Sequence, residues 1–175
     1  ARRDSDINSL DDLRERVFAF SDPLSNSGRL APVYQLALRE ERPETFFDRY
    51  IFTYAHDNSI KAVAEGLVDG AAVDSLVYDY WAATGSEYAA ETKIVDRWGP
   101  FGINPVVVHP DLDEGLKERL RQTLLAMNED PRGERILSNL HIDRFVVPDD
   151  SIYDSVRTMR AYISAVEGER AAVQP

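Results

Sequence analysis

Three clusters of side chains in this sequence have types and spacing suited to holding a small anion. The first is "SDPLSNSG", residues 21–28, where Ser25, Asn26, Ser27 and a glycine follow Asp22 and Pro23. Successive backbone N–H groups, two hydroxyls and an amide at one turn are a donor set for an oxyanion. The second is His56, opening "HDNS", whose imidazole can donate to the same anion. The third is Asp74, whose carboxylate can only accept. A carboxylate beside an anion makes sense when the bound species keeps a hydroxyl, as monoprotonated phosphorus oxyacids do near neutrality. Asp74 then accepts that proton in a charge-assisted hydrogen bond, and a fully ionised anion such as sulfate is disfavoured. Each cluster also has a plain local reading as a turn or a helix N-cap. A hydrolase with Ser27 as nucleophile, His56 as base and Asp74 as orienter is the rival from another class, but the chain has no G-x-S-x-G elbow. His109 and His141 lie away from these loops and read as structural or solvated.

The elements that must position these groups alternate. Val17–Phe20 is a continuous apolar run, expected as a strand covered on both faces. A helix over 28–40 follows, with Leu30, Val33, Tyr34 and Ala37 on one side. Pro32 is too deep for a helix starting at Gly28, so the first turn is expected to be irregular or the regular helix to begin near Ala31. Further strands are expected at Tyr50–Ala55, Gly70–Val73 and Thr92–Val95, and at "VVVH", Val106–His109, with helices after His56 and Asp74. The rest reads as helical: a stripe of Leu116, Leu120, Leu124 and Met127, then "DPRGERILSNL", then Asp150 to about Val166. The acidic start of the first of these, "DLDEGLKER", suits a helix dipole and needs no function. This order implies an α/β fold with a mostly parallel sheet, whose ligands sit at the carboxyl ends of the strands, where all three clusters fall.

Composition limits the partners. The chain has 175 residues, 43% of them apolar, enough for one domain with a core. Its 31 acidic and 20 basic residues give a net charge of −11, which repels nucleic acid and anionic membranes. No apolar run approaches the roughly 18 residues of a membrane span, so the chain reads as soluble. Cysteine is absent, which excludes disulfides and thiolate metal sites; no cofactor or metal is expected. The chain starts at Ala1 without a signal peptide and reads as processed or excised.

Four long stretches carry a resemblance. "INSLDDLRERVFAFSDPLSNSGRLAP", "HDNSIKAVAEGLVDGAAVDSLVYD", "WGPFGINPVVVHPDLDEGLKERLRQTLLAM" and "IDRFVVPDDSIYDSVRTM" together resemble the later part of the substrate-binding proteins of phosphate, phosphite and phosphonate ABC importers. The resemblance runs from about Ile7 to Met159.

It implies an α/β, type II periplasmic-binding-protein-like lobe, with C-terminal helices belonging to the other, incomplete lobe. Residues 1–9 would be a first crossing segment, 10–100 the second ligand-binding lobe, and 101–175 the return crossing strand and the C-terminal helices. The family's D-P-x-S-x-S-G loop implies ligand roles for Ser25, Asn26 and Ser27; its histidine matches His56, an acidic residue matches Asp74, and a polar residue before the return proline matches Asn104. Asn26 stands where many relatives have Thr, which implies an amide in place of a hydroxyl donor there. The implied function is capture of a phosphorus oxyanion, without chemistry, outside the cytoplasm, by a lipid-anchored or free protein that delivers to a membrane permease. A ligand-sensing domain of a signalling receptor, or a lobe kept for protein interaction, are the alternatives. With the first lobe incomplete, self-association or strand exchange is expected.

Overall fold

The computed structural model describes the backbone of residues 1–173 and the side-chain surroundings of residues 1–168. Contacts divide the chain into two units: Ala1–Pro100 together with the chain from Ser155 onward, and Phe101–Asp154.

The first unit is built on β1 (Val17–Phe20), the middle strand of a parallel sheet ordered β2-β1-β3, with β2 at Arg49–Phe52 and β3 at Gly70–Ala71. Ala19 pairs with Ile51 on one side and with Ala71 on the other. Because β1 is central, alternate side chains must bury on opposite faces. Phe18 and Phe20 enter one face, against Leu36 of α1 (Ala31–Ala37) and Phe46 of α2 (Pro43–Phe46), with Ile7, Leu10, Leu13 and Phe47. Phe18 stacks on Phe47 at 4.4 Å between ring centres, 7° from parallel. On the other face Ala19 meets Ala62 and Val63 of α3 (His56–Ala64), where small side chains let the helix lie close. Burying each large side chain stabilises by about 1.5–3 kcal/mol, so the ring cluster is the main anchor of the sheet. Asp69 fastens β3: its carboxylate accepts from Val17 N at 2.8 Å and its own N–H donates to Val17 O at 2.8 Å.

Two short helices complete this part, α4 (Ser75–Ala83) and α5 (Glu87–Ala90). The last helix is α8 (Asp154–Val173), whose contacts from Ser155 group it with the first hundred residues. Met159 is buried, and Tyr162 meets Tyr34 edge to face at 5.4 Å. Among the described residues no helix is long and apolar enough to cross a membrane.

The second unit holds α6 (Glu114–Leu125) and α7 (Pro131–Asn139), both capped at the N-terminus, by Asp113 and Asp130. The strand expected at Val106–His109 does not form: residues 101–109 have no regular structure, and Val107 is 78% exposed. Valine's β-preference reflects packing on a paired, half-buried surface, and these residues have no ladder partner among the described residues. The strand expected at Thr92–Val95 reduces to one antiparallel bridge, Arg2 with Thr92. Two flanking bonds, Arg3 N to Glu91 O and Lys93 N to Ala1 O, both 2.8 Å, hold the N-terminal residues there.

The turn ahead of the regular helix is irregular, as expected from Pro32. A single π-type turn, Asn26–Leu30, precedes α1, which begins at Ala31 with Pro32 in its first turn. Ser21 N donates to Gly28 O at 3.2 Å, bringing the two ends of the loop together. A Cβ on residue 28 would lie 2.7 Å from the Ser21 Cβ and closer still to its hydroxyl. Gly28→Ala should therefore destabilise the chain by about 1–3 kcal/mol in urea unfolding, and Ser21→Gly should restore most of the loss. A neutral Gly28→Ala would show that the two ends do not pack this closely.

Candidate functional site

The carboxyl ends of β1, β2 and β3 bring the three sequence clusters to one edge of the sheet. Asp74 is the N-cap of α4: its backbone is extended and its Oδ1 accepts from Leu76 N at 3.0 Å. Its other oxygen, Oδ2, accepts from the Ser27 hydroxyl at 3.1 Å, across 47 residues of chain. Its backbone N–H donates to His56 Nδ1 at 3.1 Å. His56 is the first residue of α3, so its ring reaches from the loop after β2 to the loop after β3, over the end of the central strand.

That last bond decides the imidazole's chemistry. A backbone N–H can only donate, so Nδ1 carries a lone pair and the proton of the neutral ring is on Nε2. Burial lowers the His56 pKa below its usual value, outweighing the raising influence of Asp74 and Asp57. The site thus holds a neutral imidazole whose N–H is a fixed donor.

The first cluster divides its labour. Ser25 Oγ accepts from Gly28 N at 2.9 Å, capping the π-type turn while keeping its own proton. The opening N–H groups of such a turn, at Asn26 and Ser27, have no carbonyl a turn earlier to bond. Asn26 Oδ1 is buried and accepts from no group among the described residues; as an acceptor it offers nothing to an oxyanion, to which this amide can donate only through Nδ2. The Ser27 hydroxyl donates its one proton to Asp74. Asn104 lies in the second unit, exposed, in the stretch without regular structure.

Thr53, Asn58 and Ser59 bond to one another and to the backbone around the start of α3, the helix that His56 opens. Thr53 Oγ1 lies 2.6 Å from Ser59 Oγ and donates to Ala55 O at 3.0 Å, while Asn58 Nδ2 donates to Thr53 O at 3.0 Å. The polar spacing of "TYAHDNS" around a helix start was the signal for this brace. The hydrolase arrangement is absent: Ser27 gives its proton to Asp74 instead of His56, and His56 Nδ1 meets a backbone N–H instead of a carboxylate.

The chain belongs to the family described as ABC transporter, phosphonate, periplasmic substrate-binding protein, whose sequence model matches residues 1–153. This is a family of transport substrate-binding proteins. Similar solved structures carry the same fold. A binding protein component of an ABC phosphonate transporter from Pseudomonas aeruginosa has a TM-score of 0.81 and 24% identity, over 95% of this chain and 57% of its own. PhnD1 from Prochlorococcus marinus, in complex with methylphosphonate, has a TM-score of 0.72 and 22% identity, over 94% and 62%. A Xanthomonas citri protein bound to chloride ion has a TM-score of 0.68 and 24% identity, over 97% and 65%. The chain therefore spans roughly three fifths of the length of these relatives.

The imidazole's state can be read by titration. Burial keeps His56 neutral, so as pH falls the unfolded chain takes up this proton before the folded chain does. Stability should be unaffected by this group above pH 6.5, the ordinary histidine value, and should fall as pH drops from there towards the folded pKa. The stability difference between the native chain and His56→Asn, measured from about pH 7 to about pH 5, should follow that course. A difference that stays flat, or that favours the native chain increasingly at low pH, would contradict a buried neutral ring.

Proposed function

We propose that this chain is the ligand-gripping part of an extracytoplasmic substrate-binding protein that captures a phosphorus oxyanion for an ABC importer. The observation that carries the reading is the meeting of Ser27, His56 and Asp74 across the end of the central strand. The Prochlorococcus relative's complex with methylphosphonate supports an organophosphonate, with phosphite and phosphate as close variants. Residues 1–9 and the return segment from residue 101 are read as crossing segments between lobes. The partner is a membrane permease, and ligand-driven closure is the signal it reads.

In this reading the donors are the Nε2–H of His56, the hydroxyl of Ser25, the amide of Asn26 and the opening N–H groups of the π-type turn. Asp74 and Ser27 act as a pair that tests protonation. A ligand hydroxyl can donate to Asp74 directly, releasing the Ser27 proton for another ligand oxygen. Alternatively it can donate to Ser27, whose proton stays on Asp74. Either way one ligand proton is required beside the carboxylate, and sulfate near neutral pH has none to offer.

Calorimetric titration of the full-length protein with methylphosphonate, 2-aminoethylphosphonate, phosphite and phosphate should give saturable binding of at least one, with the ligand recovered unchanged. Asp74→Asn keeps a good N-cap and removes the charge. It should weaken the tightest phosphorus ligand by about tenfold or more and leave sulfate unaffected or improved. Binding of none of the four would overturn the receptor reading, and an equal loss for sulfate would overturn the proton-testing role.

A further inference from the structure

Among the described residues, four other than glycine hold a left-handed backbone: Glu15, Glu40, Tyr54 and His141. Two of them close helices. Glu40 N donates to Ala37 O and Glu41 N to Leu36 O after α1; His141 N donates to Ser138 O and Ile142 N to Leu137 O after α7. These paired bonds form the Schellman motif, in which the left-handed residue satisfies the last carbonyls. Glu15 turns the chain into β1, and its N–H donates to Phe46 O at 2.8 Å. Tyr54 fits none of these uses. It comes between β2 and α3, ahead of a helix, at φ 61°, where a Cβ is crowded and glycine is at ease.

Nor does packing hold the ring in place. Tyr54 is 72% exposed, and it has a loose, tilted approach to Phe52 at 6.4 Å between ring centres. The turn itself is fixed on both sides of the residue: Thr53 N donates to Phe20 O at 3.0 Å, and Ser59 N reaches back to Ala55 O at 3.1 Å. A bulky side chain is thus kept on a crowded backbone, exposed, two residues before His56 and at the carboxyl end of β2. Residues held this way against local preference cluster at ligand sites.

We propose that Tyr54 is a specificity-determining residue whose ring lies against the substituent that the bound oxyanion carries on phosphorus; this rests on the binding-protein reading above. A tyrosine offers an apolar face ending in a hydroxyl, which suits an organic group and adds little to the grip on a bare inorganic oxyanion.

Tyr54→Gly removes the ring and frees the backbone, so it separates function from folding. Thermal melting should show a midpoint equal to or above that of the native protein. Calorimetric titration should show methylphosphonate binding weakened by about tenfold, phosphate changed by less than about threefold, and methylphosphonate binding retained in Tyr54→Phe. Unchanged methylphosphonate affinity in Tyr54→Gly overturns the proposal and leaves the ring to a protein contact. Equal losses for both ligands, or a melting midpoint well below native, also overturn it, since the ring would then be supporting the loop. If the native protein binds neither ligand nor any other phosphorus oxyanion, the binding-protein reading itself fails, and that result precedes any variant.

Discussion

One hydrogen bond joins two loops that the sheet keeps apart: the N–H of Asp74 on His56 Nδ1. β2 and β3 are the outer strands, so their loops can meet only by passing over the end of β1. The bond is possible because β1 stops at Phe20 and its chain turns away through the loop closed by Ser21 and Gly28. The core beneath sets the position of all three strand ends. Phe18 and Phe20 pack against α1 and α2 on one face, and Ala19 admits α3 on the other. The ring orientation at the edge is therefore a consequence of side-chain alternation in four residues of β1.

Asp74 is used at three atoms at once. Its N–H orients His56, one carboxylate oxygen starts α4, and the other takes the Ser27 proton. Such sharing explains how an acidic chain can present donors locally. A net charge of −11 spread over the surface is screened beyond roughly 8 Å in physiological salt, whereas N–H and O–H groups act at contact. The nearest carboxylate is already occupied by donors, so its charge is partly answered before any ligand arrives.

The parts legible in the sequence were those set by local rules. The apolar run of β1 reads as a buried strand, Pro32 dictates where regular helix can begin, and Asp74 before "SLVYD" reads as an N-cap. Convergence of three loops followed from the alternation of strands and helices. Pairing was not legible, because it depends on residues far away in the chain. Ser27 reads as one of a set of oxyanion donors, and its hydroxyl meets Asp74, 47 residues on. Val106–His109 holds the clearest β-branched run in the chain and forms no strand, since propensity cannot supply a ladder partner. Thr92 fails for the same reason, with a single bridge where a run was expected.

The π-type turn at Asn26–Leu30 makes residue count a part of the site. Its bonds span five residues where an α-helix spans four, so the loop carries one residue more than a regular helix start would. Removing any one of them would let α-helix run straight back from Ala31, and each residue upstream would rotate by about 100° about the helix axis. Ala31, Leu36 and Ala37 would keep their places in the core, while Ser25 and Asn26 would face elsewhere. Composition would hardly change, but Ser25 and Asn26 would no longer stand where this turn puts them. The loop is thus specified by its length as much as by its letters, and tolerance to insertion or deletion, so common in surface loops, should stop at this one.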